Sequence, residues 1–277
     1  MVRIRATTAA ITTKENHMIE AEWWEYDSLD ELADAVAGDV GFIVDSAVDA
    51  RNASLIALPG DATASAIFPK LAAQKLPWKR VTIIPTDDRL VPMDSDLSNV
   101  REIARAFLPN GARVVPIASE IADYRLAGNS ADARLQDLPW PPDLVWLGVG
   151  TAGDTASIFA GPDLQAALDA PKARRAIGVM PEPMPKDAPV ARVTLTRASI
   201  LSARTILITV RGGETRELLE GAIQMPSWVM SLSIFHLYGN PVFLGVNWGN
   251  FLGMTGVAIV LLLISLVQFR ATDIELG

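Results

Sequence analysis

The sequence contains no cysteine, which excludes disulfides, thiolate nucleophiles and zinc–thiolate sites together. Histidine is nearly as scarce. Only His17 and His236 occur, so a histidine-rich metal site is excluded as well; an all-carboxylate Mg²⁺ site is not, and no metal ligand is assigned. Positive charge is also short: 24 Lys and Arg stand against 32 Asp and Glu, for a net charge of −8. With no Lys/Arg cluster to neutralise a phosphate backbone, nucleic acid is not expected as a partner. The opening segment "MVRIRATTAAITTKENH" is basic and threonine-rich and lacks the apolar stretch of a signal peptide. Residues 1–21 are therefore expected to form a disordered extension, with Met18 an alternative start and a cytoplasmic main domain.

What is present is a large hydrophobic content, half of 277 residues, enough for a substantial core. Ser28-Leu29-Asp30-Glu31 is a capping-box pattern that opens a helix running towards Arg51. "SLIALPG" (54–60) is a short apolar run closed by Pro-Gly, hence a buried strand and turn. A helix follows, with Thr63 as its cap and Pro69 as a point of kinking or shortening. Then come a strand at 80–85, a helix opening at Ser98, a strand "ARVVPI", a helix over 119–136 and a strand "DLVWLGVG". Two late strands, 191–196 and 204–210, and a helix over 214–223 close the body. Alternating strands and helices predict an α/β fold: a three-layer, mostly parallel, Rossmann-like sheet with helices on both faces. Ligands of such sheets bind beyond the carboxyl ends of the strands. Four loops fall there: "PGDATAS", "PTDDRLVP", "GVGTAGDTAS" and "VRGGET".

The character changes after Glu220, because Gly221 to Phe269 contains no Asp, Glu, Lys or Arg. "FLGMTGVAIVLLLISLVQF" (251–269) has the length and composition of a transmembrane helix, with a buried core helix as the alternative. Arg270 after it points to a cytosolic C-terminus, and 227–246 could supply a shorter returning leg. The expected organisation is an extension at 1–21, an α/β domain at 22–224 and a hydrophobic segment at 225–277, with membrane anchorage possible through 251–269.

Several loop residues have two readings. Arg89, in a strand-end loop, binds an anionic group or pairs with Asp87 or Asp88. Arg192 binds an anion or snorkels at a strand entry. Asp87 and Asp88 form a paired-carboxylate site, or one caps a loop while the other is solvated; Asp87 is taken as substrate-orienting. Ser98 and Asn99 cap the next helix first and touch ligand second. Thr155 and Ser157 are caps or hydrogen-bond donors to a ligand.

Four segments in this order resemble the 6-phosphogluconolactonase family, within the larger group that includes glucosamine-6-phosphate deaminases. "LPGDATASAIFPKL" is similar to its "SGGSTP" phosphate loop, and "TDDRLVPMDSDLSN" to "DERxVPxxxxxSN". "GVGTAGDTASIFAG" is similar to "GxGxDGHTASLFPG", and "ARVTLTRASILSARTILITV" to the late "RVTLT" region. The resemblance implies hydrolysis of the δ-lactone 6-phospho-D-glucono-1,5-lactone in the pentose phosphate pathway, without metal or organic cofactor. It places Asp154 where the family keeps its catalytic histidine base, and Gly60 and Thr63 in the phosphate loop. Asp87, Arg89, Asn99, Gly150, Thr155 and Arg192 complete the expected substrate-binding set. Three motifs depart from the pattern. Asp61 and Ala62 replace the loop's second glycine and its serine, putting negative charge where N–H groups would cradle phosphate. "AGD" replaces "DGH". The family's lysine falls on Thr215, leaving Arg211 and Arg216 as stand-ins. The tail, "SIFHLYGNPV…NWGNFLGM…VQFRATDI", resembles the end of an ABC-2 type transporter permease. The alternative reading is therefore an inactive sugar-phosphate-binding domain tethered to a membrane or fused to a transporter fragment.

Overall fold

The structure, a computed structural model, describes residues 2–7, 21–150, 153–212 and 215. The chain divides into two units, Met1–Gln224 and Met225–Gly277, and the second lies outside the described residues. So do the expected span at 251–269, the leg at 227–246, the permease-like tail, both histidines and the 214–223 helix apart from Thr215. Among the described residues, no helix is long and apolar enough to cross a membrane.

Ten strands and six helices are described: β1 (Val2–Thr7), β2 (Ala21–Glu25), α1 (Leu29–Arg51), β3 (Ser54–Leu58), α2 (Ala62–Ala72), β4 (Val81–Pro85), β5 (Asp87–Arg89), α3 (Asn99–Phe107), β6 (Arg113–Val114), α4 (Tyr124–Gln136), β7 (Leu144–Gly148), α5 (Leu164–Leu168), β8 (Ala176–Val179), β9 (Arg192–Leu195), α6 (Arg197–Leu201) and β10 (Thr205–Val210). The main sheet has the order β2-β1-β10-β7-β3-β4-β6. From β10 to β6 every pairing is parallel, as the alternation of strands and helices requires.

The strands of this parallel core are apolar on both sides because both sides are covered. Ile56, Leu58, Ile83, Leu144, Trp146 and Leu207 pack with α1, α2 and α3. Their neighbours in sequence, Leu55, Ala57, Ile84, Val145, Leu147 and Ile206, face α4, α6 and strands β8 and β9. The second face is thus covered partly by a small antiparallel sheet, order β5-β9-β8, and not by helices alone. The 191–196 segment, expected in the main sheet, belongs to this second sheet. Its strands lie against the main sheet through Val193 and Leu195, which an apolar run cannot distinguish from a place within it.

Four other expectations are corrected. Residues 2–7 are not disordered: they form β1, antiparallel to both β10 and β2. Val2, Ile4 and Ala6 alternate with Arg3, Arg5 and Thr7, a period of two that suits an outer strand, and pairing covers the edge that β10 would otherwise expose. The cap of α2 is Asp61 and not Thr63, and the helix runs through Pro69 to Ala72. The helix expected from residue 119 starts at Tyr124, where the Asp123 carboxylate accepts from Arg125 N and Leu126 N. "ARVVPI" pairs only at Arg113–Val114, since Pro116 has no N–H to give a ladder. The helix at 28–51 agrees with its reading: Ser28 Oγ accepts from Glu31 N and Glu31 Oε2 from Asp27 N, both at 3.2 Å.

Candidate active site

The carboxyl ends of β3, β7 and β10 open on one cavity of about 480 Å³. Residues from all four expected loops line it, and every expected site residue is among them: Gly60, Thr63, Asp87, Arg89, Asn99, Gly150, Asp154, Thr155 and Arg192. The cavity also takes in residues the sequence reading did not place there, notably Phe159, Pro185, Asp187 and Thr209. Phe159 follows Asp154 closely enough to have been suspected. Pro185 and Asp187 sit in the segment "MPEPMPKDAPV", which has no periodicity and gave no signal.

Backbone bareness shapes the walls. A Cβ on Gly60 would lie 2.1 Å from Asn99 Oδ1, one on Gly148 2.1 Å from Asp61 Oδ2, and one on Gly150 2.5 Å from Asp154 Oδ1. Glycine at these strand ends is what lets three polar side chains lie against the main chain. The turn after β7 is held by Thr155 Oγ1 donating to Gly148 O at 2.7 Å and by Gly150 N donating to Asp154 O at 2.9 Å. Gly153, Ala156 and Ser157 have φ of 79°, 47° and 52°, so two side-chain-bearing residues are held in the left-handed region at a cost of order ~1 kcal/mol each. Thr194 Oγ1, from β9, donates to Ala156 O and helps fix that conformation.

The two aspartates of "TDDR" divide their labour. Asp88 is fully buried and caps α3: it accepts from Asn99 N at 2.7 Å, Val100 N at 3.1 Å and Arg89 N at 2.8 Å. Burial nevertheless outweighs these bonds and pushes its pKa up to about 6. Asp87 is not solvated; it is buried at the cavity wall, accepting from Ser157 Oγ and, at 3.1 Å, from Thr86 Oγ1. Ser98 caps α3, as expected. Asn99 opens that helix and lines the cavity, where Nδ2 donates to Asp87 O at 2.7 Å and Oδ1 accepts from Arg89 Nη1.

Three guanidinium groups line the same cavity: Arg89, Arg192 and Arg211. Among the described residues none of them forms a salt bridge, which removes the ion-pair reading of Arg89. Arg192 is only 3% exposed, so it does not snorkel. Its Nη2 donates to Ala188 O at 3.0 Å and its guanidinium lies 5.7 Å from the Phe159 ring centroid. The Nε atoms of Arg89 and Arg192 are buried without a partner. Burial, and then the neighbouring Arg89 charge, hold the Arg192 pKa below the usual arginine value. These are donors in want of an anion. Thr215 is 1% exposed and does not line the cavity, whereas Arg211 does; Arg216 lies outside the described residues.

Asp154 is half-buried, and burial, with a smaller contribution from the Asp87 charge, raises its pKa above the usual carboxylate value. A carboxylate so placed is a better proton acceptor than one in water. Asp61 shows the same direction for the same first cause, burial. Among the described residues no group of three acidic or histidine side chains could hold a metal ion.

The model of the family described as "Glucosamine-6-phosphate isomerases/6-phosphogluconolactonase" matches residues 27–233. A 6-phosphogluconolactonase of Mesorhizobium japonicum is 35% identical over 207 residues, 73% of this chain and 84% of that protein. One from Rhizobium meliloti is 35% identical over 195 residues, 69% of this chain and 82% of its own length. The crystal structure of a 6-phosphogluconolactonase from Shewanella baltica superposes with a TM-score of 0.65 at 26% identity, covering 72% of this chain and 85% of that one. With the family model matched over most of the chain and these relatives beside it, the chain belongs to the glucosamine-6-phosphate isomerase/6-phosphogluconolactonase family.

Proposed function

We propose that this chain hydrolyses 6-phospho-D-glucono-1,5-lactone to 6-phospho-D-gluconate, a step of the pentose phosphate pathway. The relatives that bear this name support the reaction. The observation that carries it is the pairing, in one cavity, of three arginines that form no salt bridge among the described residues and a carboxylate made more basic by burial. The arginines suit the phosphate dianion. Asp154 takes a proton from a water as its oxygen attacks the lactone carbonyl, giving a tetrahedral intermediate. On collapse the ring C–O bond breaks, and the proton held by Asp154 passes to the departing ring oxygen, leaving an open-chain acid that ionises. The reaction balances with water alone, so no cofactor is assigned. In this reading Gly60 and Thr63 shape the wall at the start of α2, Asp87 and Asn99 orient Arg89 and the sugar, and Gly150 and Thr155 fix the turn that presents Asp154.

The test is a lactonase assay on the purified chain, with spontaneous hydrolysis subtracted. Turnover that Asp154→Asn lowers by about 10²–10⁴-fold is expected. Product binding without turnover in either form would make the domain a binder. The charge-free run at 251–269 supports membrane anchorage of this domain. Carbonate extraction checks it: the full chain stays in the membrane pellet if anchored, and its release into the supernatant returns the run to a core role.

A further inference from the structure

We propose that Asp61 fixes the direction in which the substrate lies, by barring its phosphate from the N-terminus of α2. The phosphate is thereby confined to the side of Arg89, Arg192 and Arg211. This inference rests on the proposed lactone hydrolysis for its substrate and on geometry for its direction.

The start of an α-helix ordinarily attracts anions, because its first N–H groups are unsatisfied and the peptide dipoles converge there. Here that attraction is already satisfied from within. Asp61 Oδ1 accepts from Thr63 N at 2.8 Å and from Ala64 N at 3.0 Å. A phosphate oxygen at those donors would have to displace a carboxylate, and any phosphate nearby would face its negative charge at close range. Asp87, whose charge acts on Asp61 in the same sense, stands on the same cavity.

The second carboxylate oxygen holds the group in that position. Asp61 Oδ2 is buried and has no hydrogen-bond partner. It lies against the end of β7, so close that a Cβ on Gly148 would be 2.1 Å away. Packed there, the carboxylate has no room to swing off the helix end and make way for an anion. Across the same cavity the complementary deficit occurs: Arg89 Nε and the almost fully buried Arg192 Nε are donors without acceptors. A phosphate kept off α2 is drawn to these guanidinium charges and to Arg211 on the cavity wall.

Titration calorimetry with inorganic phosphate separates the two ends, using the full chain and the variants Asp61→Asn, Arg89→Gln and the double variant. Asn remains a good helix cap, and Asp61→Ser serves as a second, smaller cap should the amide perturb the wall. Arg89→Gln is expected to weaken phosphate binding by at least about tenfold, and the double variant to regain about tenfold over Arg89→Gln alone, because the negative charge that repels the anion at the α2 end is gone while the cap is kept. A double variant no tighter than Arg89→Gln, with both caps, overturns the proposal. So does a set in which no variant binds phosphate. Lactone turnover is measured on the same samples: the phosphate pattern without turnover sinks the lactonase reading alone, and turnover without the pattern sinks this one alone.

Discussion

Asp154 stands at a position where histidine is the better base at neutral pH, by about 2.6 pKa units in the unperturbed residues. Burial narrows that gap without the sequence announcing it, because Asp154 sits in a turn whose neighbours are small and whose enclosure comes from other parts of the chain. As the proposed base, Asp154 must be ionised to act, so kcat/KM should fall as pH drops through a midpoint above the ordinary carboxylate value, with full activity on the alkaline side. In Asp154→His the acid limb should move up towards about 6.5 and kcat at pH 8 should rise. A pH–rate series on the two proteins checks both, and a brisk activity abolished by histidine would mean that the aspartate is itself the tuned base. Asp88, one residue from a cavity wall, has a different task. Its folded pKa of about 6 exceeds the usual 3.8, so the folded chain keeps a proton that the unfolded chain releases. Its contribution to stability is complete below the lower value and is lost as pH rises through about 6, a change of roughly 2–3 kcal/mol. Denaturant unfolding between pH 4 and 7 should show this slope in the parent and not in Asp88→Asn.

At the scale of elements, glycines decide which surfaces can meet. A Cβ on Gly128 of α4 would lie 2.0 Å from Gly178 N in β8, so helix and strand touch backbone to backbone. Gly128→Ala should therefore push α4 off the small sheet and destabilise by about 1–3 kcal/mol or more. Gly38, in the middle of α1, has nothing within 4 Å of the same added atom. There alanine should stabilise, by about 0.4–1 kcal/mol, through helix propensity and a less flexible unfolded chain. Thermal unfolding of the two variants gives opposite signs if this account is right. Nothing in the local sequence separates the two positions, since both glycines sit in helices among ordinary helix formers. The caps were more legible: Ser28 and Ser98 were readable from spacing, whereas Asp61 was read as a substituted loop residue and proves to cap α2.

At the scale of the molecule, β1 closes one side of the parallel core by pairing with β10 and carries β2 outside it. A chain started at Met18 lacks β1, leaving β10 a bare edge and β2 without its partner. Such a chain should melt at lower temperature and aggregate more readily than the full chain, which a thermal scan with light scattering measures. An unchanged midpoint would show that the edge is dispensable.

The sequence by itself determined the parallel core and the address of the site. Buried strands such as "SLIAL" and "LVWLG" must be apolar on both faces, and the loops at their carboxyl ends are where such sheets bind ligands. The nine expected site residues could be named because they sit in those loops or carry the family's motifs. Tertiary structure alone decided the rest. The small sheet β5-β9-β8 is assembled from strands more than a hundred residues apart, and a local window cannot report such pairing. It also decided that Arg89 and Arg192 have no ionic partner among the described residues, that Asp154 is partly desolvated and that Asp61 turns inward on its own helix. Each of these is a property of what surrounds a side chain in space, and the cost of burying a charge depends on that surrounding and not on its neighbours in sequence.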